Sequence, residues 1–245
     1  MIDKLKLFLR HYSPSFFYSF ARHCYWEIRR LEAIVMGTKI EEKKWTRRNF
    51  DEIKGDFTNL NHPHRQFLIE EISSLRPINS ILEIGCGYGP NLYLLAKRFP
   101  ETELVGIDIN PLSIREGRKW VAKEGISNVK LLVGKADEIS QFQNKEFDIV
   151  FTDATLIYIG PDKIKGVIQK MINLTRKALV LLEWHYQNGD PQGLGIYHFG
   201  HWKRNYKNLL KQFVPENRTQ ITKIPENLWP VKDWEELGHL IEVLL

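Results

Sequence analysis

A chain of 245 residues that is 43% hydrophobic can bury one full core, which suits a single α/β domain with an added segment. Its two cysteines, Cys24 and Cys86, lie far apart. They exclude a disulfide framework or a cysteine-based zinc site, and no run of 18 apolar residues argues for a transmembrane helix. The net charge of +5 is concentrated: residues 1–50 carry 11 Lys/Arg against 5 Asp/Glu, and the remaining 195 carry 24 against 25. The body therefore lacks the basic footprint of a nucleic-acid-binding protein.

Residues 1–6 include lysines but neither a clean apolar stretch nor a small-residue cleavage site, so no secretory signal is read and a cytoplasmic location is expected. Residues 1–40 mix aromatics with arginines: Phe16-Phe17-Tyr18, Phe20, Arg22, Tyr25-Trp26 and Arg29-Arg30. Pro14 breaks any helix starting near Leu5, so two short helices are expected. Their aromatics either pack on the domain or rest, peripherally, on a membrane surface or partner. Helices are expected again over residues 41–75, where Phe67-Leu68-Ile69 and Ile72 recur at helical spacing before Pro77. Residues 1–60 are taken as a basic, aromatic helical extension and residues 61–245 as the main domain.

From Ile81 the pattern changes to short apolar runs that alternate with amphipathic stretches. Strands are predicted at 80–84, 103–109, 129–133, 147–152 and 178–183, with a last one at 238–245. Helices are predicted at 91–98, 112–124 and 162–174, with a short one near Glu138. This order implies a parallel sheet covered on both faces.

Glu83-Ile84-Gly85-Cys86-Gly87-Tyr88-Gly89 follows a strand and opens a helix. Alternate glycines allow a sharp turn and a close approach of ligand to backbone, and the helix start offers unpaired N–H groups. Such a loop also introduces dinucleotide sites. Here, however, Pro90 stands where the third glycine of G-x-G-x-x-G would fall, and Glu83 precedes the loop. Asp108 ends the next strand, where a carboxylate can accept both hydroxyls of a ribose. Asn110-Pro111 supplies the helix N-cap and leaves Asp108 to a ligand.

The run ILEIGCGYGPNL at 81–92 is followed by Gly106-Ile107-Asp108-Ile109-Asn110, Gly134-Lys135-Ala136-Asp137 and Phe147-Asp148-Ile149-Val150-Phe151. Taken in order, these resemble the motifs of the class I S-adenosylmethionine-dependent methyltransferases, over residues 78–185. The resemblance implies a Rossmann-like α/β fold: a seven-stranded, mostly parallel sheet with an antiparallel last strand, here preceded by the N-terminal helical extension. It also implies that the backbone of Gly85, Cys86, Gly87 and Gly89 follows the methionine part of S-adenosylmethionine, with product S-adenosylhomocysteine. Asp108 would hold the ribose, Ala136 and Asp137 the adenine, and Asp153 and Ala154 would flank the methyl group. Glu83, Asn91 and Ile109 complete the cofactor-binding set. Asp148 opens its strand and is read as structural, facing solvent or a neighbouring loop.

Methyl transfer is an in-line displacement, so positioning supplies much of the rate, and a hydroxyl acceptor also needs a base. The acceptor side is expected in the loops at 153–160 and 183–204. Candidate catalytic residues there are Asp153, His185, His198 and His201, with Tyr158 and Glu183 nearby. No metal is expected: His198-x-x-His201 has a ligand-like spacing, but the Asp-Asn pair of magnesium-dependent catechol-type enzymes is replaced by Leu182-Glu183-Trp184-His185. No Asn/Asp-Pro-Pro-Tyr/Phe follows the fourth strand and no Pro-Cys occurs, which disfavours DNA amino-methylation and cytosine C5 methylation. Residues 197–206, with Asn91-Leu92 and residues 155–159, faintly resemble methylases associated with bacterial surface-sugar biosynthesis. The acceptor is thus expected to be a small molecule or saccharide, methylated at oxygen. A membrane-tethered cofactor-binding partner without catalysis and a nicotinamide-dependent oxidoreductase stay open as alternatives.

Overall fold

The apolar run Ser80–Ile84 is buried along its whole length and forms β1, inside a seven-stranded sheet. A strand covered on both faces reads as a largely apolar run, and here Ile81, Leu82 and Ile84 follow that rule while Glu83 is a buried exception. Around it lie β2 (Glu103–Asp108), β3 (Val129–Val133), β4 (Phe147–Asp153), β5 (Thr175–Trp184), β8 (Thr219–Lys223) and β9 (Gly238–Leu244). The order is β3-β2-β1-β4-β5-β9-β8. β9 is antiparallel to both β5 and β8, and the pairings among β1 to β5 are parallel. The expected class I methyltransferase sheet, with its antiparallel last strand, is present. The computed structural model describes residues 15–49, 52, 59–139 and 141–245, with side chains from residue 19 onward.

Alternate residues of each strand point to opposite faces, and the two faces carry separate cores. Ile81, Ile149 and Val180 face Leu68 and Ile72 of α3 (Pro63–Ser74), Leu92 and Leu95 of α4 (Pro90–Arg98), and Ile114 of α5 (Pro111–Lys123). Leu82, Val105, Val150 and Leu179 face Ile164, Val167, Ile168 and Met171 of α6 (Ile164–Leu174) and Leu209 and Leu210 of α7 (Tyr206–Leu210). The helices start where the sequence allows. The Asn110 side chain accepts from the amides of Leu112 and Ser113, and Pro111 follows in the first turn, where its missing N–H costs nothing.

Several expectations are corrected. The short helix near Glu138 is a single turn closed by the Glu138 amide donating to Lys135 O at 3.0 Å. β8 was not foreseen, because Thr219-Gln220-Ile221-Thr222-Lys223 is mostly polar, as befits an edge strand. Of the two surroundings expected for Asp148, solvent is excluded and the neighbouring loop is found: it is 1% exposed, accepting from the Asn79 amide at 2.7 Å and from Arg176 Nε at 2.7 Å. In the N-terminal segment, α1 (Ser15–Met36) is one 22-residue helix rather than a short piece, since nothing between Ser15 and Met36 is Pro or Gly. The Pro14 break and the Phe16, Phe17 and Tyr18 side chains lie outside the described residues.

Gly37, at φ +58°, turns the chain into α2 (Lys39–Thr46). Trp26 of α1 packs edge-on against Phe199, 5.2 Å between centroids, in the turn between β6 (Ile196–His198) and β7 (His201–Lys203). Thr38 is bound to the body: its amide and hydroxyl donate to Asp162 Oδ1 at 3.0 and 2.8 Å, and its hydroxyl accepts from the Gly160 amide at 2.8 Å. No helix among the described residues is long and apolar enough to cross a membrane.

Candidate active site

A cavity of about 280 Å³ lies beside the loops that follow β1, β2 and β4, where ligands of open parallel sheets bind. The glycine loop forms one wall. Gly85 and Gly87 adopt φ of +78° and +56°, conformations costly for any residue with a side chain. A Cβ at Gly85 would also lie 2.1 Å from Thr155 Oγ1. The Gly87 amide donates to Asp108 Oδ2 at 2.9 Å and the Asn110 amide to Asp108 Oδ1 at 2.8 Å. Asp108 therefore fixes the loop while still lining the cavity. Burial pushes its carboxyl up to about 6, despite these two donors and Arg48.

A second wall comes from Thr38, Glu41, Glu42, Trp45 and Arg48 of the N-terminal segment. Asn110 Nδ2 donates to the backbone oxygens of Trp45 and Arg48 at 2.9 and 3.1 Å. Lys163 joins Glu42 to Asp137, lying 2.8 Å from the Asp137 carboxylate.

At another part of the cavity three polar side chains meet around Asn91. Its amide nitrogen donates to Glu83 Oε1 at 2.8 Å and to Asp153 Oδ2 at 3.0 Å, and its oxygen accepts from Arg65 Nη1 at 2.7 Å. Three buried atoms of this cluster have no hydrogen-bond partner: Arg65 Nε, Glu83 Oε2 and Asp153 Oδ1. Buried polar atoms left unpaired are costly. One spare donor on a cation and two spare acceptors on carboxylates match the two ends of an amino-acid zwitterion. Burial pushes the Glu83 carboxyl up to about 8, only partly opposed by Asn91. Burial also acts on Asp153, but His64, Arg65 and Asn91 outweigh it and hold that carboxyl below the ordinary carboxylate range.

His64 Nε2 lies 3.1 Å from Asp153 Oδ2, and its other nitrogen meets His62 Nδ1. His62 is the N-cap of α3 and Pro63 follows, so the helix start fixes both imidazoles. Trp229 stacks on His64 at 3.9 Å and on Trp234 at 4.0 Å. Burial, then His64 and Arg65, lower the His62 pKa.

Residues 81–178 match the family model described as a methyltransferase domain. The uncharacterized protein RP028 of Rickettsia prowazekii is 25% identical over 197 residues, covering 74% of this chain and 78% of that one. The malonyl-[acyl-carrier protein] O-methyltransferase of Priestia megaterium is 30% identical over 115 residues, 47% of this chain. The chain spans about two fifths, 39%, of that relative's length. In fold, geranyl diphosphate C-methyltransferase from Streptomyces coelicolor, solved with magnesium, geranyl diphosphate and S-adenosyl-L-homocysteine, superposes with TM-score 0.58. Identity is 13%, over 79% of this chain and 82% of that one. Residues 81–178 are thus a methyltransferase domain, on the fold of the class I S-adenosylmethionine-dependent enzymes.

The residues of this methyltransferase suit its cofactor, S-adenosylmethionine, whose amino-acid end carries the charges that the unpaired Arg65, Glu83 and Asp153 atoms require. Of the positions expected to bind it, Glu83, Gly85, Cys86, Gly87, Asn91, Asp108, Ile109, Ala136, Asp137, Asp153 and Ala154 line the cavity. Gly89 does not. It turns at φ +92° and donates its amide to Cys86 O at 2.8 Å, shaping the loop from behind.

The downstream histidines lie elsewhere. Residues 196–203 form the β6–β7 ribbon, which packs against the Leu156–Tyr158 turn, so none of His185, His198 and His201 is in the cavity wall. His185 Nδ1 accepts from the Tyr206 amide at 3.2 Å, and burial, then His239, lowers its pKa to about 4. His201 packs 4.8 Å from Trp184 and 5.1 Å from Tyr158, and burial, then Lys44, takes it to about 4. His198 pairs with Asp233 at 3.7 Å. Glu183 serves the backbone, accepting from Thr152 Oγ1 and the amides of Thr155, Leu156 and Ile157 at 2.8 to 3.1 Å. Sequence reasoning missed His64, Arg65, Trp45 and Trp229. The available signal was His62-Pro63-His64-Arg65, polar residues on a helix start just ahead of the cofactor strand.

Proposed function

We propose that this methyltransferase modifies an oxygen of a small-molecule or saccharide acceptor, with His64 and Asp153 managing the proton. The observation that carries the reading is the His64–Asp153 pair in the cavity wall beside Trp229 and Tyr158, with the half-buried His62 behind His64. A hydroxyl must lose a proton as it attacks, and an imidazole paired with a carboxylate meets that need. An amine acceptor would need little help of this kind. S-adenosylmethionine supplies a sulfonium methyl group open to in-line attack.

The chain's own residues do the rest. Arg65, Glu83 and Asp153 would hold the amino-acid end, Asp108 the ribose, and Ala136 and Asp137 the adenine. The His62–His64–Asp153 chain would take up the acceptor proton, and the ionised Asp153 would stabilise the imidazolium that results. Trp45, Tyr158 and Trp229 would exclude water and offer an apolar wall, which also suits a sugar ring. The Priestia megaterium relative, an O-methyltransferase, supports oxygen as the acceptor atom.

The test is release of S-adenosylhomocysteine with a panel of hydroxyl, carboxylate and amine compounds. Turnover is expected with oxygen acceptors. His64→Asn should lower it at least ~100-fold while leaving cofactor affinity within about threefold. Turnover confined to amines, or a His64→Asn variant as fast as wild type, would overturn the reading.

A further inference from the structure

One face of α1 has no partner among the described residues. Trp26 and Ala33 turn toward the body, Ala33 being 5% exposed. Phe20, Ile28, Leu31 and Val35 are 60%, 63%, 61% and 80% exposed. Their spacing, with the partly exposed Cys24 between Phe20 and Ile28, lays them in one stripe along the helix. Isolated exposed apolar residues need no explanation, but a contiguous stripe on a soluble domain marks a binding surface. Within α1 the charged residues are largely satisfied among themselves: Arg29 with Glu32 at 2.5 Å and Arg30 with Glu27 at 3.5 Å.

The choice of occupant rests on charge. Residues 1–50, which contain α1, hold 11 Lys/Arg against 5 Asp/Glu, while the rest of the chain is balanced at 24 against 25. Lys4, Lys6 and Arg10 precede the helix against a single Asp3, and the exposed Lys39 and Lys43 follow it. An apolar stripe within a basic segment is the pattern of a helix lying in the interface of an anionic bilayer, its apolar face among the acyl chains. A second copy of the chain would bring like charges together. The same helix leads through Gly37 to Thr38 in the cavity wall.

We propose that the Phe20–Ile28–Leu31–Val35 face of α1 docks this methyltransferase on an anionic lipid surface. This goes beyond the acceptor reading and stands independently of it. The experiment is co-sedimentation of the full chain with phosphatidylcholine vesicles, with and without phosphatidylglycerol, alongside the double variant Ile28→Glu/Leu31→Glu and the single variant Val35→Glu. Both leave buried positions untouched, and S-adenosylhomocysteine binding checks that each is folded. Partitioning onto the anionic vesicles is expected at least about tenfold above the neutral ones, and to fall at least about tenfold in the folded double variant. No sedimentation with either vesicle, equal binding to both, or equal binding by the double variant would overturn the proposal. So would a vesicle-independent dimer on light scattering that the glutamates dissolve, which would assign the face to a second copy.

Discussion

Glu83 offers a direct measurement of what the cavity is built to hold. Burial raises its carboxyl to about 8, so roughly nine-tenths of the free protein carries it protonated at pH 7. A ligand ammonium beside the unpaired Oε2 would reverse that preference. Cofactor binding at pH 7 is then expected to expel up to ~0.9 proton from this site, falling to about 0.1 at pH 9. Calorimetry in buffers of different ionisation enthalpy reads the released protons. The free ligand's amine is the same in both titrations, so the difference between wild type and Glu83→Gln reports the Glu83–ammonium pair. The free protein adds a sign test. A raised folded pKa contributes stability that is complete below the ordinary carboxylate range and is lost as pH rises through about 8. Glu83→Gln should remove that alkaline decline. Equal proton release by wild type and a Glu83→Gln protein that still binds would refute the reasoning.

Asp108→Ala should weaken S-adenosylmethionine binding at least about tenfold, because hydrogen bonds to a charged group are worth ~1.5–3 kcal/mol each; calorimetry on the folded variant checks it. Gly117→Ala should destabilise the protein by ~1 kcal/mol or more, although alanine is the better helix former. Its Cβ would lie 2.4 Å from the Tyr88 carbonyl of the cofactor loop, and thermal melts would show the sign. For Asp148, burial is outweighed by the Asn79 amide, Arg176 and Lys177, so its folded pKa is lowered. Its contribution is complete above the ordinary carboxylate range and drains away as pH falls through the folded value. Asp148→Asn should therefore cost ~1–3 kcal/mol at pH 7, and the gap from wild type in denaturant titrations should close on acidification.

What the sequence made legible was whatever local physics dictates. Ile81, Leu82 and Ile84 are apolar because their strand is buried on both faces, and Gly85 and Gly87 are glycines because their φ values require it. Asn110-Pro111 announced a helix start that the structure repeats in its hydrogen bonds. Less legible were contacts between distant segments. His64 meets Asp153 across 89 positions, and no local periodicity encodes that meeting. Trp45 is held at the cavity by Asn110, which donates to its carbonyl, and by packing on Tyr158, both distant in sequence. The downstream histidines misled for the opposite reason. Polar rings in an aromatic stretch read as a site, whereas burial against Trp184 and Tyr206 makes them packing residues. Thr219–Lys223 carried too little apolar pattern to be seen as an edge strand.

The wall that Thr38, Glu42 and Trp45 contribute makes the N-terminal segment a thermodynamic partner of whatever fills the cavity. A ligand that binds only when α2 is docked deepens the docked state as its concentration rises above its Kd. Linkage is reciprocal, so anything that steadies α1 and α2 from outside must tighten the ligand by the same factor. Only Gly37 and Thr38 separate the two helices, joining the solvent-facing stripe to the cavity wall. Occupancy within and attachment without would then report on each other through a single short joint.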